Sequence, residues 1–365
     1  MRIAICFAAI VGVVGTLLAS PAQADGRNQA DNRKRVSVVT LKGPSKVRDE
    51  HRVRLRVRWR TRSGEALSGK VVLQRRRGPK KSWHRHKTIR VKGGKATFRL
   101  RPRNSWGYRI VAPAGPTWRR DVSPPHRVHN KPRIGPVKLP KRAPRPRIRL
   151  PKQKRPKLDK FHPRVMRIPN KVWRSMKGRS WHRGCPVGRS RLRLIRMNYW
   201  GYDGYRHRGE IVVNRSIARK TVRAFRAIYR GKYPIRRMYR VDRFGWSKKL
   251  QGANDFKSMR AGNTSAFNCR GIVGRPNDLS PHALGRSVDI NTWENPYKSA
   301  RGYAPNRWWN FRSRPHRITY RSGDHPVVRA MSNAGFGWLG SSDWQHFQID
   351  SSGRAYRHEG GLFWD

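Results

Sequence analysis

The chain has 365 residues, with 86 Lys and Arg against 19 Asp and Glu and a formal net charge of +67; at about 150 residues per domain, this is a two-domain length. Hydrophobic residues make up 36% and aromatics 10%, with 14 Trp, which is enough to bury a core and excludes a wholly disordered basic tail. So large a charge calls for an anionic neighbour, whether nucleic acid, acidic polymer or membrane surface, and three Cys are too few for a disulfide-dense scaffold.

Residues 1–24 read as a secretory signal. Arg2 is the charged start, Ile3 to Leu18 is the apolar run, and Ala22-Gln23-Ala24 is the cleavage site. The run is shorter than the roughly 20 apolar residues of a bilayer span, an uncleaved anchor being the rival reading. Cys6 lies inside the run, away from the cleavage point, so a lipoprotein signal is not expected. Signal removal leaves Cys185 and Cys269. In an oxidising compartment two Cys are expected to pair; two free buried thiols are the alternative. The mature protein is expected to be secreted or wall-associated, with no stable membrane span.

Residues 35–125 have the period of β-strands. Val53, Leu55, Val57 and Trp59 alternate with Arg52, Arg54, Arg56 and Arg58. Val71 to Leu73, Ile89 with Val91, Ala96 to Leu100, and Tyr108 to Ala112 follow, the last being the final clear strand. Short strands with a turn about every ten residues point to an all-β sandwich. The pattern resembles the immunoglobulin-like modules of bacterial surface enzymes, and it carries no catalytic set.

Residues 126–162 differ in kind. From Lys131 to Lys160 there are 13 Lys and Arg, 7 Pro and one acid, Asp159. Such a stretch is expected to be an extended basic linker that does not fold. It lacks the interleaved aromatics of a nucleic-acid arm, so no specific nucleic-acid partner is expected; an anionic wall polymer suits it better.

From 165 to 365 the pattern is α+β. Ser216 is placed to cap a helix from Ile217 to Arg230, stopped by Gly231. Asp324-His325-Pro326 opens a second helix that ends before Gly335. Glu210–Val213, Ser287–Asn291 and Gln345–Asp350 read as strands.

Twelve of the 19 acids lie from Asp203 onward. Two clusters set carboxylates beside imidazoles: Ser280-Pro281-His282-Ala283-Leu284-Gly285-Arg286-Ser287-Val288-Asp289, and Asp343-Trp344-Gln345-His346-Phe347-Gln348. Two His and one carboxylate are a standard protein set for a catalytic zinc with an open fourth position. On spacing alone His316, His325 and His358 are rival ligands.

The first cluster resembles the S-x-H-x-x-G-x-A-x-D signature of VanY-type zinc D-alanyl-D-alanine carboxypeptidases. Asn263 to Arg270, Asp289-Ile290-Asn291, Glu294 to Tyr297, His325 to Val328, Gly335 to Trp338 and Asp343-x-x-His346-Phe347 are similar to that family's other blocks in the same order. The likeness runs over about residues 180–350. It implies a zinc peptidase fold of the hedgehog/DD-peptidase type, with Zn2+ held by His282, Asp289 and His346 and Asp343 as the acid/base. Arg270 would hold a substrate carboxylate or brace the loop beside Cys269, with Ser280 and Ser287 also near the substrate; Asp350 is a fallback base. Cys185 and Cys269 match the family's disulfide pair. Ser287 stands where the family has Ala, and Asp343 where many relatives carry Glu.

The implied substrate is a peptidoglycan stem peptide, cut as a D,D-carboxypeptidase. An L-alanyl-D-glutamate endopeptidase is the alternative, and a non-catalytic wall-binding protein is the rival of another class. An acid that also returns a proton needs a raised pKa, which burial would supply.

Overall fold

The computed structural model describes residues 34–148, 150–272 and 275–356; the signal segment 1–24 and His358 lie outside them. The chain divides into two compact units, residues 1–131 and 132–365. No described helix is long and apolar enough to cross a membrane.

The first unit is all β. One sheet has the order β1 (Ser37–Lys42), β3 (Val53–Thr61), β6 (Lys95–Leu100). The other runs β2 (Lys46–Arg48), β9 (His126–Lys131), β7 (Trp106–Ala112), β4 (Gly69–Arg76), β5 (His84–Val91), with β8 (Asp121–Val122) on β7. Both sheets feed one core, which includes Leu55, Trp59, Leu73, Phe98, Ile110 and Val128. The alternation in β3 is strict: Val53, Leu55, Val57 and Trp59 are at most 3% exposed, while the arginines between them are exposed.

The sequence reading ended this module at 125, and the chain continues it. β9 pairs with β7 and, in parallel, with β2, and Val128 is fully buried. His126-Arg127-Val128-His129-Asn130-Lys131 hides its period because only one apolar residue, Val128, faces the core.

The expected free linker is also corrected. The described residues of 132–162 have no regular structure, as their prolines dictate, but they lie against the rest of the second unit as a strap. Val137 N–H donates to Tyr202 O at 2.8 Å, and Trp293 Nε1 donates to Pro144 O at 2.8 Å. The Gln153 amide bridges both backbone groups of Met238, accepting from N at 3.0 Å and donating to O at 2.6 Å. Ile148 and Leu150 pack on Tyr239 and Phe244, and Phe161 is buried against Ile195 and its neighbours. Average composition concealed this, because a few apolar side chains and the backbone dock while most of the described cations face outward.

In the second unit an antiparallel sheet of β10 (Arg164–Met166), β11 (Leu192–Trp200) and β12 (Arg206–Asn214) carries the core. After β10 comes helix α1 (Asn170–Met176). Helix α2 (Ala218–Arg230) packs Ala224, Phe225 and Ile228 into that core and stops at Gly231. Its entry turn is fastened by Asn214, whose Oδ1 accepts from Ser216 N–H at 3.1 Å, so the cap lies two residues before the expected Ser216. Downstream come β13 (Trp246–Ser247), β14 (Gly252–Ala253), α3 (Asp255–Arg260), β15 (Gly271–Ile272) and β16 (Arg275–Leu279). A second sheet, β17 (Ser287–Asp289), β21 (His346–Gln348), β20 (Gly337–Trp338), holds the acidic clusters. Between them lie the hairpin β18 (Tyr297–Ser299), β19 (Gly302–Ala304) and helix α4 (Pro326–Ser332). Within the expected Asp324-His325-Pro326 opening, the cap of α4 is His325, whose Nδ1 accepts from Val327 N–H at 3.1 Å.

Cys185 and Cys269 form a disulfide with Cα atoms 5.9 Å apart across 84 residues. Closing a loop of that length removes unfolded-state entropy worth about 4–5 kcal/mol. The Cys185→Ser/Cys269→Ser variant is expected to lose stability of that order in a denaturant titration, and reductant is expected to bring wild type down to the same midpoint.

Candidate active site

The pairing of β17 with β21 sets Asp289 opposite His346, while Val288 and Phe347, fully buried, pair on the other face. Asp289 and His346 therefore meet because their neighbours fill the core. His282 arrives on a tight 3₁₀ turn, Pro281–Leu284, whose start is capped by Ser280 Oγ accepting from His282 N–H. Gly285 ends the turn at φ +68°, and a Cβ there would sit 2.9 Å from the Asn214 nitrogen, so the family-like glycine is required on both counts.

The three side chains close a triangle. His282 Nε2 is 3.2 Å from His346 Nδ1 and 3.2 Å from Asp289 Oδ2, and His346 Nδ1 is 3.0 Å from Asp289 Oδ1. All three residues are at most 4% exposed. Each imidazole has its other nitrogen engaged outside the triangle. His282 Nδ1 lies 2.7 Å from Ala266 O, and His346 Nε2 lies 3.0 Å from Gln348 Oε1. If each donates there, both lone pairs point inward, as a metal requires. Zinc bonds of 2.0–2.1 Å in a tetrahedron put ligand atoms roughly 3.3 Å apart, so this donor set fits a divalent ion in size and chemistry.

Burial alone would raise the Asp289 carboxyl, but the imidazoles of His282 and His346 outweigh it and hold it far below the usual carboxylate range. His282 shows the reverse balance: burial favours the neutral ring, and the Asp289 charge raises its pKa.

Asp343 stands across the cleft, 5% exposed. Burial pushes its carboxyl up to about 7; the nearby His346 opposes this and the Asp289 charge adds to it. Its Oδ1 is buried without a hydrogen-bond partner, as are Arg270 Nε and Gln345 Oε1. All of these residues line the same small cleft, of about 30 Å³, together with Met259, Ser280 and Tyr297. Three orphaned polar atoms around one cleft mark a place built for a polar ligand.

Arg270 lines the cleft, and it is also held from behind: Nη2 pairs with Asp255 Oδ2 at 2.7 Å and Nη1 donates to Gly271 O at 3.0 Å. Ser280 lines the cleft while capping its turn. Ser287 does not reach it: fully buried at the start of β17, it lies outside the cleft lining. Asp350 is a turn residue whose Oδ1 accepts from Ser352 Oγ and Arg354 N–H, away from the cleft. His325 is spent on its helix cap and on His316 O. Asp255, Gln348, Tyr297 and the Ala266 carbonyl were missed. Gln348 left a signal, since residues two apart on a strand share a face and His346 is two residues before it; Ala266 and Tyr297 lie in the family-like blocks without a role assigned, and Asp255 left none.

Residues 273–349 match the family model described as D-alanyl-D-alanine carboxypeptidase. The resemblance read from the sequence over 180–350 is thus borne out over that stretch, which holds His282, Asp289, Asp343 and His346. The match supports a peptidoglycan-type metallopeptidase at the level of the family. No curated protein matches the chain. Among solved structures, the sulfur carrier protein SoxY from Chlorobium limicola f thiosulfatophilum is similar at 13% identity, over 29% of this chain and 88% of that chain, with a TM-score of 0.19; a likeness of that size carries no argument.

The Arg270–Asp255 pair gives a direct test of bracing. Both side chains are about 7% exposed or less, and removing one charge of a buried pair costs roughly 3–5 kcal/mol. Asp255→Asn is expected to lower unfolding stability by that amount in urea titrations.

Proposed function

We infer that the second unit is a zinc D,D-carboxypeptidase acting on peptidoglycan stem peptides. The observation that carries this reading is the buried His282–Asp289–His346 triangle facing Asp343 across a single cleft. Such a set needs a metal and an acid/base to make chemical sense of its burial.

When bound, zinc supplies Lewis acidity, acidifying a water and polarising the scissile carbonyl. His282, Asp289 and His346 would hold it, the two imidazoles oriented by Ala266 O and Gln348 Oε1. Asp343 accepts the proton of the attacking water as the new carbon–oxygen bond forms. It returns that proton to the amine as the carbon–nitrogen bond breaks. Its partnerless Oδ1 and raised pKa suit a group that must do both. Arg270 lines the cleft with its Nε unpartnered, and a guanidinium there suits the terminal carboxylate of a substrate; the pair with Asp255 anchors it.

The Cys185–Cys269 disulfide supports an extracytoplasmic setting, in keeping with a signal at 1–24. We read the first unit as an immunoglobulin-like sandwich. Its sheet orders β1-β3-β6 and β2-β9-β7-β4-β5, with β2 parallel to the last strand, support that reading.

The purified protein is expected to bind one zinc per chain and to release D-alanine from a muramyl pentapeptide, with both lost on chelation. His282→Ala is expected to lose the metal. Asp343→Asn is expected to keep the metal while turnover falls about 10²–10⁴-fold. Internal peptide fragments in place of free D-alanine would move the reading to an endopeptidase, and metal binding without any cleavage would remove the enzyme reading.

A further inference from the structure

The outer face of the β1-β3-β6 sheet is a ladder of cations. Along β3, Arg54, Arg56, Arg58 and Arg60 all point outward and are exposed. The neighbouring strands add to them rather than balance them. Arg54 pairs across the sheet with Arg99, Arg58 with Lys95, and Arg56 with Lys42. Like charges directly opposite on a sheet destabilise it, so three such pairs on one face work against the fold. Solubility alone does not ask for them.

None of these cations makes an ion pair or a side-chain hydrogen bond among the described residues. The four described acids of this unit are engaged elsewhere. Glu65 pairs with Arg35, Asp121 accepts from Val39 N–H, and Asp49 and Glu50 lie beside Arg103. Burial holds every alternate residue of β3 in the core, so the four arginines leave one face of the strand in a row of fixed backbone spacing.

We propose that this face binds a linear polyol-phosphate polymer, with successive arginines of β3 taking successive phosphodiesters. Alternate residues of a strand are spaced about 6.7 Å apart. A polymer repeat of six backbone bonds, such as phosphorus, oxygen, three carbons and oxygen, is as long as two extended residues, roughly 7 Å. The two periods match over the row of four. The planar guanidinium fork suits phosphate oxygens. The face bears Val38, Thr40 and Thr97 beside its cations and no aromatic side chain from its three strands. Single-stranded nucleic acid binds by base stacking as well as by charge, and this face has no platform for it. A polymer without bases is the better fit.

The test uses the full mature chain and a poly(glycerol phosphate) of defined length, with affinity measured across a salt series. The R54Q/R56Q/R58Q/R60Q variant is compared with a charge-matched control, R142Q/R145Q/K152Q/K157Q. Four lost phosphate contacts are expected to weaken binding at least about 30-fold and to flatten the slope of log K against log salt by about 3. The control is expected to stay within about threefold of wild type, because the proposal rests on the row and not on total charge. The ladder variant is expected to melt no lower than wild type, since its opposed like charges are gone. If it melts lower, Thr at the same four positions keeps the strand while removing the charge. Equal losses in the ladder variant and the control would overturn the proposal in favour of diffuse attraction. Tighter binding of oligo(dT) than of the polyol phosphate, lost with the ladder, would overturn it in favour of nucleic acid. No cleavage enters the measurement, so the outcome stands apart from the peptidase reading, and D-alanine release from a soluble peptide is expected to be the same in the ladder variant as in wild type.

Discussion

A carboxylate taken out of water costs several kcal/mol unless opposite charge and hydrogen bonds meet it. Asp289 is in that position, 4% exposed, and it is met by His282 at 3.2 Å and His346 at 3.0 Å. That compensation depends on the β17–β21 register. A slip of one residue in a strand pair turns every side chain to the other face. Here it would bring His346 into the core and Phe347 into the cleft. The fully buried Val288–Phe347 pair therefore selects the same register that the site needs. Hydrophobic packing on one face of a short sheet fixes polar geometry on the other.

The buried acids of this unit follow one rule with one departure. Glu294 meets Arg236, Asp242 meets Arg240, Asp255 meets Arg270, and Asp289 meets two imidazoles. Asp343 has no cation within ion-pairing distance among the described residues, and burial raises it to about 7. In a chain so rich in arginine, a buried acid left without one is the departure that needs explaining. Proton exchange gives a reason, since an arginine beside Asp343 would hold it ionised and spoil it as an acid. The same contrast separates Asp343 from Asp350, which is held low by local hydrogen bonds at a turn.

Much of this was legible in the sequence, and for definite reasons. Period two in Val53–Trp59 revealed a half-buried strand because each core residue alternates with an arginine. The two His/Asp clusters were visible because acids are scarce and spaced in blocks. What stayed hidden depends on partners distant in sequence. The strand at His126–Lys131 has one core residue, too few for a period. The strap at 132–162 docks through backbone groups and Gln153, which composition does not register. Asp255 looks like an ordinary helix-start acid until the fold brings Arg270 to it. Ser287 shares a sequence block with Asp289, but its position at the far end of β17 buries it away from the cleft. The first helix cap was misassigned by two residues, Asn214 for Ser216, and the opening Asp324-His325-Pro326 did not say which side chain caps, because several neighbouring side chains could make the same bond.

The arrangement of acids also bears on the first unit. Its four described acids pair with Arg35, lie beside Arg103 or bond the backbone of β1, so none is left to neutralise the exposed sheet face. Sequence alternation placed arginines on that face without saying what stands opposite them. Only the register shows Arg54 against Arg99 and Arg58 against Lys95. Repulsion of this kind falls off over about 10 Å at moderate salt, so charges elsewhere in the chain relieve it little. The relief has to come from outside, from small ions or from a polyanion that releases them on binding. A row whose backbone is fixed by a buried core favours the polyanion, because the arginines leave the strand at the polymer's own spacing and no backbone order has to be imposed on binding.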